Sequence, residues 1–381
     1  MNSLGIGLIG FGMIGQVHAL AYREIPHYYP NTLPPIELAA ICTTRAETAQ
    51  NAARAANFRA WTTNIDELVA RDDVQIVDVC LPNFAHRPAI LAAIRAGKHV
   101  IVDKPLALNA DQAQEIVDAA RAANVRVGMV FNYRFVPAMM RAQKLISEDT
   151  LGHIYHFQID FMHTGYQNPH RAMSWRLRRS QAGGGALVDL GSHAIDMARY
   201  LLGEFENVNA VTRTYVTERP VDAGNEKREA RDEKRAAGDE RQELVDVDDA
   251  AWLNARMKNG AQGTIFVTRF AAGAVDDLNV QIYGARGAIK FSLQDGNVLQ
   301  FFDATANSAT QGWTRIPTGT QYHGAAVPPP RSILGWNRTH AENIYQFLRA
   351  VVENKPFAPD ATDGLRVHEI IDKAYEKANS R

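Results

Sequence analysis

The sequence predicts two domains. The first, residues 1–133, is a parallel sheet covered by helices on both faces. The second, 134–381, is an α+β domain with a large open, mainly antiparallel sheet and C-terminal helices. Three observations predict this. Continuous apolar runs alternate with helical patterns through the first third, which is the signature of a parallel sheet buried on both sides. From His153 the runs change to residue-by-residue alternation, as in strands with one covered face. The length of 381 residues exceeds what a single core usually holds.

The parallel strands are expected at Ile6–Gly10, Ile36–Cys42, Gln75–Leu81, His99–Val102 and Arg126–Phe131. Helical patterns at Arg45–Ala56, Pro88–Ala96 and Asp111–Ala123 fall between them. The run GFGMIG (Gly10, Phe11, Gly12, Met13, Ile14, Gly15) follows the first strand and opens a helix. Glycines there allow a tight turn, close approach to a pyrophosphate and close helix packing, with the helix N-terminus facing the phosphates. Outside this setting the motif would signal only a tight turn. Inside the βαβ rhythm it predicts a Rossmann-type NAD(P) site. The second strand ends in Thr43, Thr44 and Arg45, where NAD sites usually carry an acid. A threonine donor and a guanidinium able to pair with a 2′-phosphate favour NADP, with NAD as the alternative.

In the second domain HIYHFQIDFMH places Tyr155, Phe157, Ile159 and Phe161 on one face and Gln158 and Asp160 on the other. Further strands are expected at Val208–Val216, Ala250–Lys258, Gly263–Phe270, Asn279–Tyr283 and Ala288–Leu293, with GARG (284–287) as a hairpin turn. Residues 225–243 are dense in both charges and nearly free of apolar side chains, which predicts a solvated loop, part of it helical. Helices at His340–Val352 and Gly364–Ala378 close the chain.

Composition excludes several classes of function. A net charge of -1 gives no basic field for nucleic acid. No apolar run approaches the roughly 20 residues of a membrane span, and no leader pattern precedes the first strand. Two cysteines make no disulfide framework and no CxxC site, so a reducing, cytoplasmic location is expected. No HExxH or equivalent spacing appears among the 12 histidines, so no metal is expected.

The chemistry gathers in three stretches. Ligands of such sheets lie beyond the carboxyl ends of the strands. There the loops offer Leu81, Pro82, Asn83 and His86, then Asp103, Lys104 and Pro105, then Asn132. SWR brings Trp175 and Arg176 just before AGGGALVDLGSHAIDMARYLLGE (182–204). That stretch reads as a helix with a buried stripe, but Asp189, His193 and Asp196 share another face. A surface role for Lys104 or a core role for His193 would be the ordinary reading of either alone. Their joint occurrence points to catalysis, and Asp196 is read as a structural pair.

A lysine beside a proline at a strand end, with D-x-x-x-H after a glycine run, resembles the glucose-fructose oxidoreductase, inositol dehydrogenase and MocA-like (Gfo/Idh/MocA) family. The resemblance covers nearly the whole chain. HALAY and PHYYPNTLPP resemble its sugar-dehydrogenase branch, which includes levoglucosan dehydrogenase. The family implies NAD(P)-dependent hydride transfer at a hydroxyl or keto carbon of a sugar, anhydrosugar or cyclitol. By motif, Lys104, Asp189 and His193 match its catalytic residues. DKP stands here where many members have EKP, and Thr43 departs from the NAD-using members. Arg134, His163, Trp175, Arg176 and Arg338 join Lys104, Asp189 and His193 as candidates for the sugar pocket, since hydroxyls are bound by such donors and aromatic walls. The family also implies a homodimer or homotetramer. Two rivals share the fold: a redox-assisted glycosidase that keeps its NAD, and an NADP-sensing protein without catalysis.

Overall fold

A computed structural model describes residues 3–221, 241–319, 322–329 and 332–379. The chain order begins β1 (Leu4–Ile9), α1 (Met13–Tyr28), β2 (Ile36–Cys42), α2 (Ala46–Ala56), β3 (Ala60–Thr62), α3 (Ile65–Val69) and β4 (Ile76–Val79). It continues α4 (His86–Arg95), β5 (His99–Asp103), α5 (Ala110–Ala122), β6 (Val127–Val130) and α6 (Pro137–Ser147). The first sheet runs β3-β2-β1-β4-β5-β6 with every pairing parallel. The order reverses between β1 and β4, and a dinucleotide crevice opens at such a switch point. Val77, Val79, Val100 and Val102 are sealed from solvent, which is why these strands read as continuous apolar runs.

The chain goes on with β7 (Ile154–Met162), two one-turn helices α7 (Arg179–Ala182) and α8 (Ala186–Asp189), then α9 (Gly191–Leu202) and β8 (Phe205–Arg213). A two-stranded ribbon follows, β9 (Glu218–Pro220) with β10 (Gln242–Leu244). Then come β11 (Ala250–Met257), β12 (Gln262–Thr268), β13 (Asp277–Gly284), β14 (Gly287–Ser292), β15 (Val298–Asp303) and β16 (Trp313–Pro317). The eight-stranded sheet has the order β16-β15-β14-β13-β7-β12-β11-β8. Only β7 and β12 pair in parallel within it. The chain closes with α10 (Trp336–Val352), packed on α1, and α11 (Ala361–Asn379), packed on α5 and α9.

Several expectations are revised. The first sheet has a sixth strand, β3, too short and too exposed to show a pattern. Tyr155 does not share the burial of Phe157 and Phe161; it is 55% exposed at the start of β7, edge-on to His153. Strand β16 is a mostly exposed edge strand and β15, its only neighbour, is mostly half-buried; neither carried a clear alternation. Most of the charged segment 225–243 lies outside the described residues. Its last residues enter β10, where Glu243 pairs with Arg178 at 2.6 Å. The 182–204 helix is divided at Leu190 into α8 and α9.

Candidate active site

Each loop of the crevice leaves the carboxyl end of a parallel strand. Gly10 takes φ +93, and a Cβ there would stand 2.3 Å from the carbonyl oxygen of Cys80. A Cβ on Gly15 would stand 2.4 Å from the carbonyl oxygen of Gly10, so the turn closes only with glycine at both places. Gly12 faces open space, with nothing within 4 Å, in front of the N-terminus of α1. That is the cradle a pyrophosphate needs. Phe11, Met13 and Ile14 ring the same turn, with Met13 64% exposed. At the end of β2 the Thr43 hydroxyl donates to the carbonyl of Arg45 at 3.1 Å, and Arg45 is an exposed N-cap of α2. Its guanidinium makes no ion pair among the described residues.

Four of the residues expected at the cofactor brace the loops around the crevice. His86 is fully buried, with Nδ1 2.8 Å from the carbonyl of Pro105 and Nε2 2.7 Å from that of Leu81. It ties the β4 and β5 loops together, and burial lowers its pKa. Asn83 donates to the carbonyl of Ala182 at 2.8 Å, joining the β4 loop to the second domain. Asn132 donates to the Thr339 hydroxyl at 3.0 Å and is sealed. Asp103 accepts the Lys104 backbone N–H at 2.8 Å, which shapes the turn before the lysine. Leu81, Pro82 and Pro105 form the walls of these loops.

Lys104 reaches across the domain boundary. Its Nζ donates to Asp189 Oδ1 at 2.7 Å and to the Asp189 carbonyl at 2.9 Å. The other carboxylate oxygen, Oδ2, lies 3.2 Å from Nη2 of Arg269. Arg176, stacked 4.5 Å over the Trp175 ring, adds a third cation nearby. Burial pushes the Asp189 carboxyl up, but Lys104, Arg269 and Arg176 outweigh it and hold it well below the ordinary carboxylate range. Asp189 is therefore a fixed anion, with its side chain 32% open to the cleft.

His193 is 8% exposed and framed edge-on by Tyr133 at 4.7 Å, Phe161 at 6.0 Å and Phe131 at 6.1 Å. Its Nδ1 is sealed without a hydrogen-bond partner among the described residues. Burial, Lys104 and His340 drive its pKa well below 6.5, and Asp189 opposes them only in part. The imidazole is thus neutral at physiological pH. No hydrogen bond joins Asp189 to His193, so the carboxylate serves Lys104 and not the ring.

The glycines at 183–185 are required by the backbone and side chains packed against them. Gly183 has φ +83 and passes against the Leu108 backbone. A Cβ on Gly184 would meet the Tyr375 hydroxyl at 2.1 Å, and one on Gly185 the Asp248 carbonyl at 1.7 Å. Asp248 in turn accepts N–H bonds from Gly185 at 2.9 Å and Leu187 at 2.8 Å, and the Tyr375 hydroxyl donates to it. The glycines let this carboxylate cap α8 and so set the angle at which Asp189 is presented.

Two candidates for the sugar pocket are reassigned. Arg134 is sealed in ion pairs with Asp196 and Asp363, so neither it nor Asp196 faces the cleft. Arg338 pairs with Glu342 at 2.9 Å and lies 4.2 Å over each of the Tyr28 and Tyr322 rings. His163 stays at the rim, accepting the Gly165 N–H at 2.9 Å with Nε2 3.7 Å from Asp276. Sequence reasoning missed Arg269, Asp248 and Tyr375. Each acts on an element 60 to 190 positions away, and no local spacing announces such a pairing.

A Rossmann crevice facing a Lys-Asp pair and a neutral buried histidine defines a nicotinamide-dependent oxidoreductase. Residues 4–131 match the family model described as oxidoreductase family, NAD-binding Rossmann fold, and residues 139–290 match the GFO/IDH/MocA C-terminal domain. The chain belongs to the Gfo/Idh/MocA oxidoreductase family. It is 34% identical to levoglucosan dehydrogenase of Pseudarthrobacter phenanthrenivorans, over 99% of this chain and 97% of that one. A 142-residue stretch is 39% identical to 1,5-anhydro-D-fructose reductase of Ensifer adhaerens, 37% of this chain and 42% of the relative. The solved levoglucosan dehydrogenase in complex with NADH and levoglucosan superposes with a TM-score of 0.92 at 33% identity, covering 99% of this chain and 98% of the other.

Proposed function

We propose that this enzyme oxidises a secondary hydroxyl of a neutral sugar or anhydrosugar, of the levoglucosan type, and runs the reverse reduction under the opposite ratio of cofactors. The observation carrying this reading is the Lys104–Asp189 pair set beside a neutral His193 at the mouth of the crevice. The names of the relatives support the substrate class. The glycine turn and the N-terminus of α1 would hold the pyrophosphate, with Leu81, Pro82 and Lys104 lining the nicotinamide half. When bound, the nicotinamide supplies the hydride acceptor. His193 takes the hydroxyl proton, which a neutral imidazole can do. The Lys104 ammonium stabilises the negative charge that develops on the sugar oxygen. Asp189 keeps that ammonium in place, and Trp175, Arg176 and His163 border the sugar.

The finer preference is for NADP over NAD, supported by Thr43 and the exposed Arg45 guanidinium, which makes no ion pair among the described residues. NADH stands in the solved relatives, so the expectation is a measurable one. Arg45→Ala should raise the KM for NADP far more than that for NAD. Loss of one charge-assisted phosphate contact costs about 1.5–3 kcal/mol. Equal use of both cofactors, untouched by Arg45→Ala, would reverse the assignment. We also infer self-association through the open sheet. A reducing, cytoplasmic setting is inferred from the unpaired Cys42 and Cys80.

A panel of sugars, anhydrosugars and cyclitols with both cofactors, followed as nicotinamide absorbance, tests the main reading. Stoichiometric reduced cofactor with levoglucosan or a close analogue supports it. Glycosidic cleavage without net cofactor turnover would favour the glycosidase, and binding without turnover the sensor.

A further inference from the structure

Arg269 belongs to none of the motifs, yet it is one of the largest fully buried side chains in the protein. It stands just beyond β12, where its backbone N–H donates to the Asp249 carbonyl at 3.0 Å. Its Nη2 donates to Asp189 Oδ2 and to the Gly185 carbonyl, both at 3.2 Å. The guanidinium also lies 4.6 Å over the Tyr166 ring, whose neighbour on a 4.3 Å contact is Arg171. Tyr166 belongs to the segment 163–176 that runs from β7 to Trp175 and Arg176. One side chain therefore touches the catalytic carboxylate, the glycine turn before it and the segment bordering the sugar.

Resting on the dehydrogenase reading above, we propose that Arg269 is a positioning residue: it holds Asp189 Oδ2 so that Oδ1 and the Asp189 carbonyl fix the Lys104 ammonium toward the substrate. A carboxylate between two cations has one rotamer that satisfies both, and removing either cation frees it to turn. Asp189 meets Lys104, Arg176, Arg269 and the neutral His193; Arg269 meets Asp189, Asp248, Asp249 and Tyr166. Lys104 alone would follow the carboxylate wherever it turned. With Arg269 in place the pair has a fixed anchor on the second domain, and the lysine is drawn to it across the cleft. Misplacement of a catalytic group by about 1 Å costs up to about 10²-fold in rate.

A double-mutant cycle tests this. Arg269→Met in the whole enzyme should lower kcat by about tenfold to a hundredfold with the binding of NADH, read by its fluorescence, unchanged. Arg269→Lys, which keeps the charge on a shorter side chain without the planar guanidinium, should recover part of the loss. In an Asp189→Asn background Arg269→Met should cost nothing further, because the residue acts through Asp189. An additive cycle, in which the loss is the same in both backgrounds, would reduce Arg269 to a folding residue and overturn the proposal. A second readout needs no substrate. With ¹³C-labelled aspartate carboxyls, the Asp189 resonance, assigned by its loss in Asp189→Asn, should titrate at higher pH in Arg269→Met than in the unmodified protein. An unmoved titration would also overturn it. Failure of the unmodified protein to oxidise any sugar strikes the dehydrogenase reading instead, and the carboxyl titration then still shows whether Arg269 acts on Asp189.

Discussion

At the scale of single residues, the division of labour follows from environment. Asp189 and His193 are four positions apart, yet one is held as an anion by three cations and the other is held neutral by burial and Lys104. His193→Ala should lower kcat by about 10²–10⁴-fold, the usual worth of a general base. NADH binding should persist, because the glycine turn does not contact the ring. The sign of the pH dependence follows as well. A base works in its deprotonated form, and the His193 pKa lies well below 6.5. Loss of kcat/KM through protonation of this ring should therefore begin only well below pH 6.5. A pH–rate profile with an acid limb above that value, unaltered in a conservative His193→Gln variant, would assign the base elsewhere. Residue identities at this scale were legible in the sequence where chemistry and spacing coincide, as for Lys104, Asp189 and His193. They were not legible where a side chain's partner lies far along the chain. Arg134 and Arg338 read as pocket donors until Asp196, Asp363 and Glu342 were found to claim them.

At the scale of elements, the site depends on how α8 is started. A one-turn helix has no stability of its own, since nucleation is unfavourable and too few bonds follow it. Asp248 supplies what is missing by accepting the Gly185 and Leu187 N–H groups, with Tyr375 donating to the same carboxylate. Asp248→Asn would turn an amide N–H toward one of these donors and leave a buried group unpaired, at a cost of about 1–3 kcal/mol. The urea midpoint should fall and kcat should fall with it, because Asp189 ends that helix; an unchanged midpoint would show the cap to be dispensable. A second element rests on a buried ion pair. His18 in α1 lies 3.0 Å from Asp78 in β4, and Tyr22 donates to the same carboxylate at 2.8 Å. Burial lowers the His18 pKa, but the charge and hydrogen bond of Asp78 outweigh it, so the net shift is upward. The stabilisation is then full below about pH 6.5 and is lost as pH rises through the folded-state value. The stability gap between the unmodified protein and His18→Gln should narrow as pH climbs through that window, and a gap that widened would invert the assignment. The βα rhythm that builds α1 and β4 was plain in the sequence. The division of 182–204 into α8 and α9 was not, since the apolar stripe runs through Leu190 without a break.

At the scale of the whole molecule, the open face of the eight-stranded sheet is the feature still to be explained. Helices cover one face; the other presents Trp252 and Phe266 stacked at 5.1 Å, Val211 opposite Trp252, and His156 stacked on Tyr283 at 4.8 Å. Between these aromatic islands lies a row of Asn254, Thr264, Gln158 and Gln281, each opposite the next across the sheet. Alternation in the sequence predicted a sheet with one covered and one open face. The actual face is mixed, as interfaces between non-obligate partners usually are. Trp252 at 40% and Val211 at 46% exposure are costly to leave in water, and a twofold axis through the polar row would bury both islands at once. We expect a dimer or tetramer by light scattering at micromolar concentration. Trp252→Glu should place a charge in that contact and shift the mass toward the monomer. Trp252 stacks on Phe266 and belongs to neither the glycine turn nor the Lys104–Asp189 pair, so the variant should keep its NADH binding. A monomeric mass for the unmodified protein would show that the open face is tolerated in water. A Trp252→Glu variant with undiminished mass would move the interface to another surface.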